Sequence, residues 1–271
     1  MAKTPRILIR ESQKEIAKLM QEYLVEISAD IIADIISNAK SGNKSQATKN
    51  IKTPNGQWYK IDLKEAVAVV VREAINNAKE EVPARIKFAE YEDLPAAIRR
   101  FVDAQVVLYA STQVEDLKKK IAFKYQDTLS YTDNIEEIKK AMAVEAAIYA
   151  ESAAISAGAS KLVSTAVNSA RKAYFDQPEV MEKIEAFQYV NPEPNAAICV
   201  SLQNHVFRAD DPELQRWTPP FHFNCDGYLR PILVGNLKGR VPSEYVPTKK
   251  ALESVQFSEK SDKDILLKCC H

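Results

Sequence analysis

A chain of 271 residues, 46% hydrophobic and 27% charged, can bury a large core as one domain or two modest ones, which excludes a fibrous or low-complexity protein. Its 37 basic residues balance 37 acidic ones, so no global field draws it to nucleic acid or a membrane, and any such contact must be local. Four cysteines, two of them adjacent at Cys269 and Cys270, exclude a disulfide scaffold and fit a reducing compartment. A net charge of zero gives no electrostatic help to solubility, which suits a chain held in an assembly. The run Ile7-Leu8-Ile9 is too short for a signal-peptide core. The low-polarity stretch from Ala141 to Ala170 is interrupted by Glu145, Glu151 and Lys161, so no membrane span is expected.

Proline sets the punctuation. Pro5, Pro54, Pro83 and Pro95 precede position 178, and the other nine of 13 follow from Pro178 onward. Because proline lacks a donor and fixes its own torsion, the first part can sustain long helices and the second is broken into short elements. The expected class is α+β: a mainly helical region over 1–176 with a basic loop at 40–60, a small α+β module of short strands over 177–234, and an extended tail over 235–271.

Ser12 and Glu15 form a capping-box pattern ahead of Ile16, Met20, Tyr23, Ile27, Ile31 and Ile35, one apolar stripe on a helix expected to stop near Gly42. Asp62 and Glu65 repeat the signal for a second helix carrying Leu63, Val67, Val70, Val71, Ala74 and Ile75, which must end before Pro83. Asp93 and Pro95 open a third with Ile98, Phe101, Val102, Gln105, Leu108 and Val114. A fourth starts at Asp133 and Glu136, bends or breaks near Gly158, and resumes to about Tyr174. Along it Ala146, Ala150, Ala154 and Ala157 either face a neighbouring helix or simply supply helix propensity.

Between the first two helices, Lys40 to Lys60 holds five lysines and no acid around the turn signal Thr53-Pro54-Asn55-Gly56. Lys44, Lys49 and Lys52 there can meet nucleic-acid phosphates or an acidic partner, or belong to a solvated connection. Lys118, Lys119, Lys120 and Lys124 read as a hydrated helix face.

From Ile184 the period changes. Ile184 to Tyr189, His205 to Phe207 and Tyr228 to Val234 read as short strands, with one helix over Ala196 to Leu202. From Gly235 the polar, proline-punctuated tail cannot make its own core and either wanders or lies along a partner.

Soft-ligand chemistry concentrates between Gln188 and Pro231, where Cys199, His205, His222 and Cys225 lie. Cys199, His222 and Cys225 offer two thiolates and an imidazole, with His205 a fourth donor, a set suited to a tetrahedral structural zinc. In the rival reading Cys199 is a small buried hydrophobe and His222 caps the turn after Pro219-Pro220. A Cys–His nucleophilic pair would need a positioned partner and an oxyanion site, and the sequence offers neither. Cys269-Cys270-His271 also combines metal donors, at the end of the tail.

An order of features spans Ser164 to Val234. Ser164-Thr165-Ala166-Val167-Asn168-Ser169-Ala170-Arg171 ends a helix, Phe187-Gln188-Tyr189-Val190 forms a strand, Cys199 through Phe207 carries a cysteine and a turn, and Pro219-Pro220-Phe221-His222-Phe223-Asn224-Cys225 closes the series. This order resembles the phage head morphogenesis family, the Mu F-like minor capsid proteins. Ala196 and Gly227 stand where that family commonly has further cysteines, and His205 where it tends to have a small turn residue. The resemblance implies a non-enzymatic minor head protein of a tailed phage, assembled in the host cytoplasm and placed in the virion head near the portal vertex. It would act in head morphogenesis, genome packaging or delivery, with the portal protein, the major capsid protein and packaged DNA as partners and no membrane. Its rivals are a small metal-dependent nuclease or hydrolase using the His/Cys block, and a DNA-binding packaging factor acting through Lys44, Lys49 and Lys52.

Overall fold

Long helices form wherever the apolar stripe runs unbroken by proline, and the described residues of the computed structural model contain five of them: α1 (Pro5–Ser41), α2 (Trp58–Glu81), α3 (Ala96–Leu129), α4 (Ile135–Ala150) and α5 (Ala153–Phe175). A short α6 (Pro178–Met181) leads into β1 (Ile184–Val190), α7 (Ala197–Leu202), β2 (Val206–Arg208), β3 (Tyr228–Leu233) and a short α8 (Lys249–Glu253). The fold is mainly helical α+β, as expected. The structure describes residues 4–41, 44–49, 51–52, 58–222 and 224–255. The expected stop at Gly42, the turn at Thr53–Gly56 and the terminal Cys269-Cys270-His271 lie outside them.

Helix starts differ from expectation because several apparent caps serve tertiary contacts instead. α1 begins at Pro5, where Thr4 Oγ1 accepts the Ile7 amide at 3.4 Å and proline occupies the first helical position. Leu8, Ile9 and Ser12 are buried inside it, so the pattern at Ser12 and Glu15 caps nothing. α2 likewise starts ahead of Asp62, whose carboxylate accepts the Tyr23 hydroxyl at 2.7 Å and ties α2 to α1. Asp93 does precede α3, but it accepts the amides of Ala89 and Glu90 at 2.6 and 2.9 Å in a separate 3-10 turn, Tyr91–Asp93. Those amides hold its carboxyl below the ordinary value. On α3 Leu108 is 51% exposed and its neighbour Tyr109 takes the core position.

α4 is capped by Asn134, which accepts the Glu136 amide at 3.0 Å, while Asp133 pairs with Lys44. The break after α4 falls at Glu151 and Ser152, not at Gly158. Ala146 and Ala150 are buried as the helix-contact reading expected, whereas the break resets the phase and leaves Ala154 exposed and Ala157 half-buried. Gly158 lies within α5, and a Cβ there would come within 2.7 Å of Tyr109 Cδ2.

α1 packs against α2, α3, α4 and α5, and α5 in turn against α1, α2 and α3. A single hydrophobic cluster runs from Leu8 through Tyr174 to Cys199, Phe221 and Leu229, so the core is continuous from bundle to module. Two antiparallel pairings give the sheet order β2-β1-β3, with Phe187 opposite both Phe207 and Pro231.

Each sheet edge has a backbone carbonyl taken from outside the sheet. The Ser243 amide donates to Val206 O at 3.1 Å on the β2 side, and on β3 the Leu229 carbonyl accepts from Arg171 while Pro231 has no N–H to expose. The described part of the tail therefore lies along the chain's own module. Tyr245 packs edge-on against Trp217 and His205, Ser254 Oγ accepts the Ile198 amide at 2.9 Å, and α8 buries Ala251.

The Tyr109 hydroxyl donates to Ile155 O at 3.0 Å, so its ring cannot swing away from a methyl at position 158. Overpacking costs about 1–3 kcal/mol and glycine-to-alanine in a helix returns about 1 kcal/mol. Gly158→Ala is thus expected to lower stability by up to about 2 kcal/mol in denaturant unfolding, in place of the gain at an unconstrained helical glycine.

Candidate functional site

α5 presents Ser164, Asn168 and Arg171 on one face, four and three residues apart. Opposite them runs the extended segment that leads into β3. Ser164 Oγ donates to Cys225 O at 2.9 Å, Asn168 Nδ2 to Gly227 O at 3.2 Å, and Arg171 Nη2 to Leu229 O at 3.2 Å. Three or four helical residues rise about 4.5–6 Å and two extended residues advance about 6.6 Å, so alternate carbonyls fall nearly opposite successive turns. Arginine's longer reach takes up the accumulated shortfall. Between these rungs Asp226 turns the other way, accepting Arg10 Nε of α1 at 2.6 Å.

Arg171 is 2% exposed and needs its charge matched. Glu81 of α2 supplies this through a two-pronged pair, Nη1 at 3.0 Å and Nη2 at 2.9 Å, and Asn77 accepts from the same guanidinium. The rings of Phe175 and Tyr228 lie 5.2 and 5.6 Å from the guanidinium carbon.

Beyond the first rung lies the His/Cys cluster. α7 turns Cys199 inward beside Ile198 and Leu202, and the loop after the cis Pro219–Pro220 bond returns with His222 and Cys225. Cys199 Sγ is 2.9 Å from His222 Nε2 and 3.8 Å from Cys225 Sγ, and the three donor atoms lie within 4.8 Å of one another. All are sealed from solvent, at 0%, 3% and 1% exposure for Cys199, His222 and Cys225. A hydrogen bond from Cys199 holds the Cys225 thiol well below its ordinary value, with His222 helping and burial opposing. Bonding to Cys225 and burial push the Cys199 thiol up.

Tyr189 of β1 completes the wall. Its hydroxyl bonds Cys199 and accepts Asn191 Nδ2 at 3.5 Å, and burial together with the two sulfurs raises its pKa well above the ordinary value. Gly227 makes room for it, since a Cβ there would lie 2.8 Å from Tyr189 Cζ and closer still to the hydroxyl. From the sequence Gly227 stands out only as a departure from the family's cysteine, and Tyr189 only as a strand position. The oddity of a glycine two places after Cys225 was the available signal.

His205, expected as a fourth donor, is not part of the cluster. α7 ends at Leu202 and Asn204 takes a positive φ of 65°, so the chain reverses between Cys199 and His205. The His205 ring faces the tail instead, with Nε2 3.0 Å from Ser243 O and its plane edge-on to Phe207 and Tyr245. Ala196 stands just before α7, half-buried.

Elsewhere, Lys44 lies 2.7 Å from Asp133, and the Lys52 amide is taken by Asp34, while Lys49 is exposed. Lys118, Lys119 and Lys124 each pair with an acid three residues away, and of the three Lys119 is well exposed whereas the Lys118 side chain is 14% exposed and departs from the expected hydrated face. An open groove of about 580 Å³ runs between the end of α2 and β3, bounded by Glu80, Glu81, Arg230, Lys238 and Arg240, and none of the cluster residues lines it. Among the described residues no helix is long and apolar enough to cross a membrane. No protein-family model, no curated protein and no solved structure matches the chain.

Gly227→Ala is expected to cost about 1–3 kcal/mol by driving a methyl into Tyr189. In a Tyr189→Phe background the nearest atom is gone, so the same substitution should cost less. A double-mutant cycle in denaturant unfolding reads that coupling.

Proposed function

We propose that the chain is a non-enzymatic minor head protein of a tailed phage, bound at the portal vertex and acting in head morphogenesis, genome packaging or delivery. The observation that carries this reading is the meeting of the segments that resemble the Mu F-like family. The α5 face bonds the Cys225–Leu229 segment across 58 to 61 residues of sequence, and the intervening strand and cysteine helix close the same unit. A pattern dispersed over the chain that folds into one bonded unit is what a shared structural module requires, and a chance run of motifs has no reason to do so.

The chemistry of the block supports a structural role. A nuclease or hydrolase acting through His222 needs substrate at its ring, and His222 is 3% exposed with Nε2 already against Cys199 of α7. A packaging factor working through the basic loop is weakened at Lys44, whose ammonium already faces Asp133. The docking surface for the portal protein is assigned to the long helices, where α3 exposes Leu108 and Phe123 and α4 exposes Val144 and Ile148 one turn apart.

Mass spectrometry of purified particles should find the chain in few copies per head, and the tagged chain should bring down the portal protein. Absence from particles together with failure to retain the portal would sink the proposal. Steeply salt-dependent retention on DNA, without portal binding, would transfer it to the packaging-factor reading.

A further inference from the structure

We propose that Cys199, His222 and Cys225 bind one zinc ion, which staples α7 and the Pro219–Cys225 loop to the wall formed by β1 and α5. This inference rests on the side-chain geometry and is independent of the head-assembly reading.

The donor set and its spacing are what the ion needs. Zinc–sulfur bonds of about 2.3 Å at a tetrahedral angle separate two sulfurs by about 3.8 Å. Cys199 and Cys225 stand 3.8 Å apart. A disulfide would require about 2.0 Å, so the pair is held at the spacing of a shared ion and short of a covalent bond. The imidazole lies closer to Cys199, at 2.9 Å, than the roughly 3.6 Å expected when zinc sits between sulfur and nitrogen. Turning that ring outward by less than one ångström admits the metal in place of the sulfur–nitrogen contact.

Charge makes the same case. A divalent cation, two thiolates and a neutral imidazole sum to zero, so the filled site can be buried without a net charge, whereas any thiolate held there alone is a buried anion. Among the described residues three donors reach the site, which leaves one tetrahedral position without a protein ligand. Tyr189, hydrogen-bonded to Cys199, acts as a positioning residue that orients the sulfur. His205 is excluded, because its ring is committed to Ser243 and Tyr245.

Elemental analysis of the full chain, purified without chelator under reducing conditions, tests the assignment. The expected result is zinc at a stoichiometry near one. Replacement by cobalt should give the thiolate-to-metal charge-transfer band and the visible bands of a tetrahedral ion. His205→Ala should keep both, while Cys199→Ala/Cys225→Ala should lose both. Tyr189→Phe should retain the stoichiometry at saturating zinc with affinity lowered about 10- to 100-fold. Should the double variant fail to fold, the cobalt spectrum of the unaltered chain still decides. A folded chain that carries no metal and takes up neither zinc nor cobalt overturns the proposal, as does cobalt bound without the charge-transfer band, or a Cys199–Cys225 disulfide formed in place of metal binding.

Discussion

An extended segment buried against a helix turns every second carbonyl toward that helix, and each of those oxygens must find a donor or bear the cost of desolvation. Here α5 supplies the donors as Ser164, Asn168 and Arg171, meeting Cys225, Gly227 and Leu229 in turn. Neutral hydrogen bonds of this kind are worth about 1 kcal/mol each, and those to a charged group about 1.5–3. Their larger effect is on register, because sliding the segment by one residue would aim the wrong carbonyls at all three donors. The last donor is a cation, and its burial calls in Glu81 and Asn77, so α2 is fixed to α5 and β3 by the same side chain. Asp226, pointing the opposite way to Arg10, fixes α1. The bundle and the module thus share one polar seam as well as one apolar core.

The cluster of Cys199, His222 and Cys225 depends on that seam. Cys225 contributes its carbonyl to the first rung and its sulfur to the cluster, so the position of the sulfur is set from α5. Tyr189 approaches from the sheet side and is admitted by the missing side chain of Gly227. A cysteine at that place would meet the tyrosine ring. The site is consequently built around three donors, with an aromatic hydroxyl occupying the space a further thiol would need.

Much of this was readable from residue order. Strand positions at Ile184–Val190, Val206–Arg208 and Tyr228–Leu233 followed from β-branched and aromatic runs between turns, and the helix bearing Cys199 fell where it was expected. Helix ends were less legible, because an acid near a helix start can serve a distant partner as readily as a cap. Asp62 bonds Tyr23, and Asp133 bonds Lys44. Gly158 was taken for a bend and instead clears space for Tyr109, a contact between residues on different helices that no local window contains. Of the four residues in the cysteine- and histidine-rich block, the fold brings Cys199, His222 and Cys225 together. His205 failed because counting residues says nothing of the reversal at Asn204. The Tyr189–Gly227 contact and the α5 ladder stayed hidden for the same reason as Gly158.

The covering of β2 by the tail has a consequence for the order in which the protein is made. Synthesis delivers the N-terminal residues first, so the helices, β1 and β2 all emerge ahead of Ser243 and Tyr245. Until those two arrive, the outer edge of β2 and the faces of His205 and Trp217 remain open to any strand or ring that comes near. The tail is therefore the final closure of a module whose other parts are already in place. It gives the chain a partner of its own for an edge that would otherwise be open to another strand.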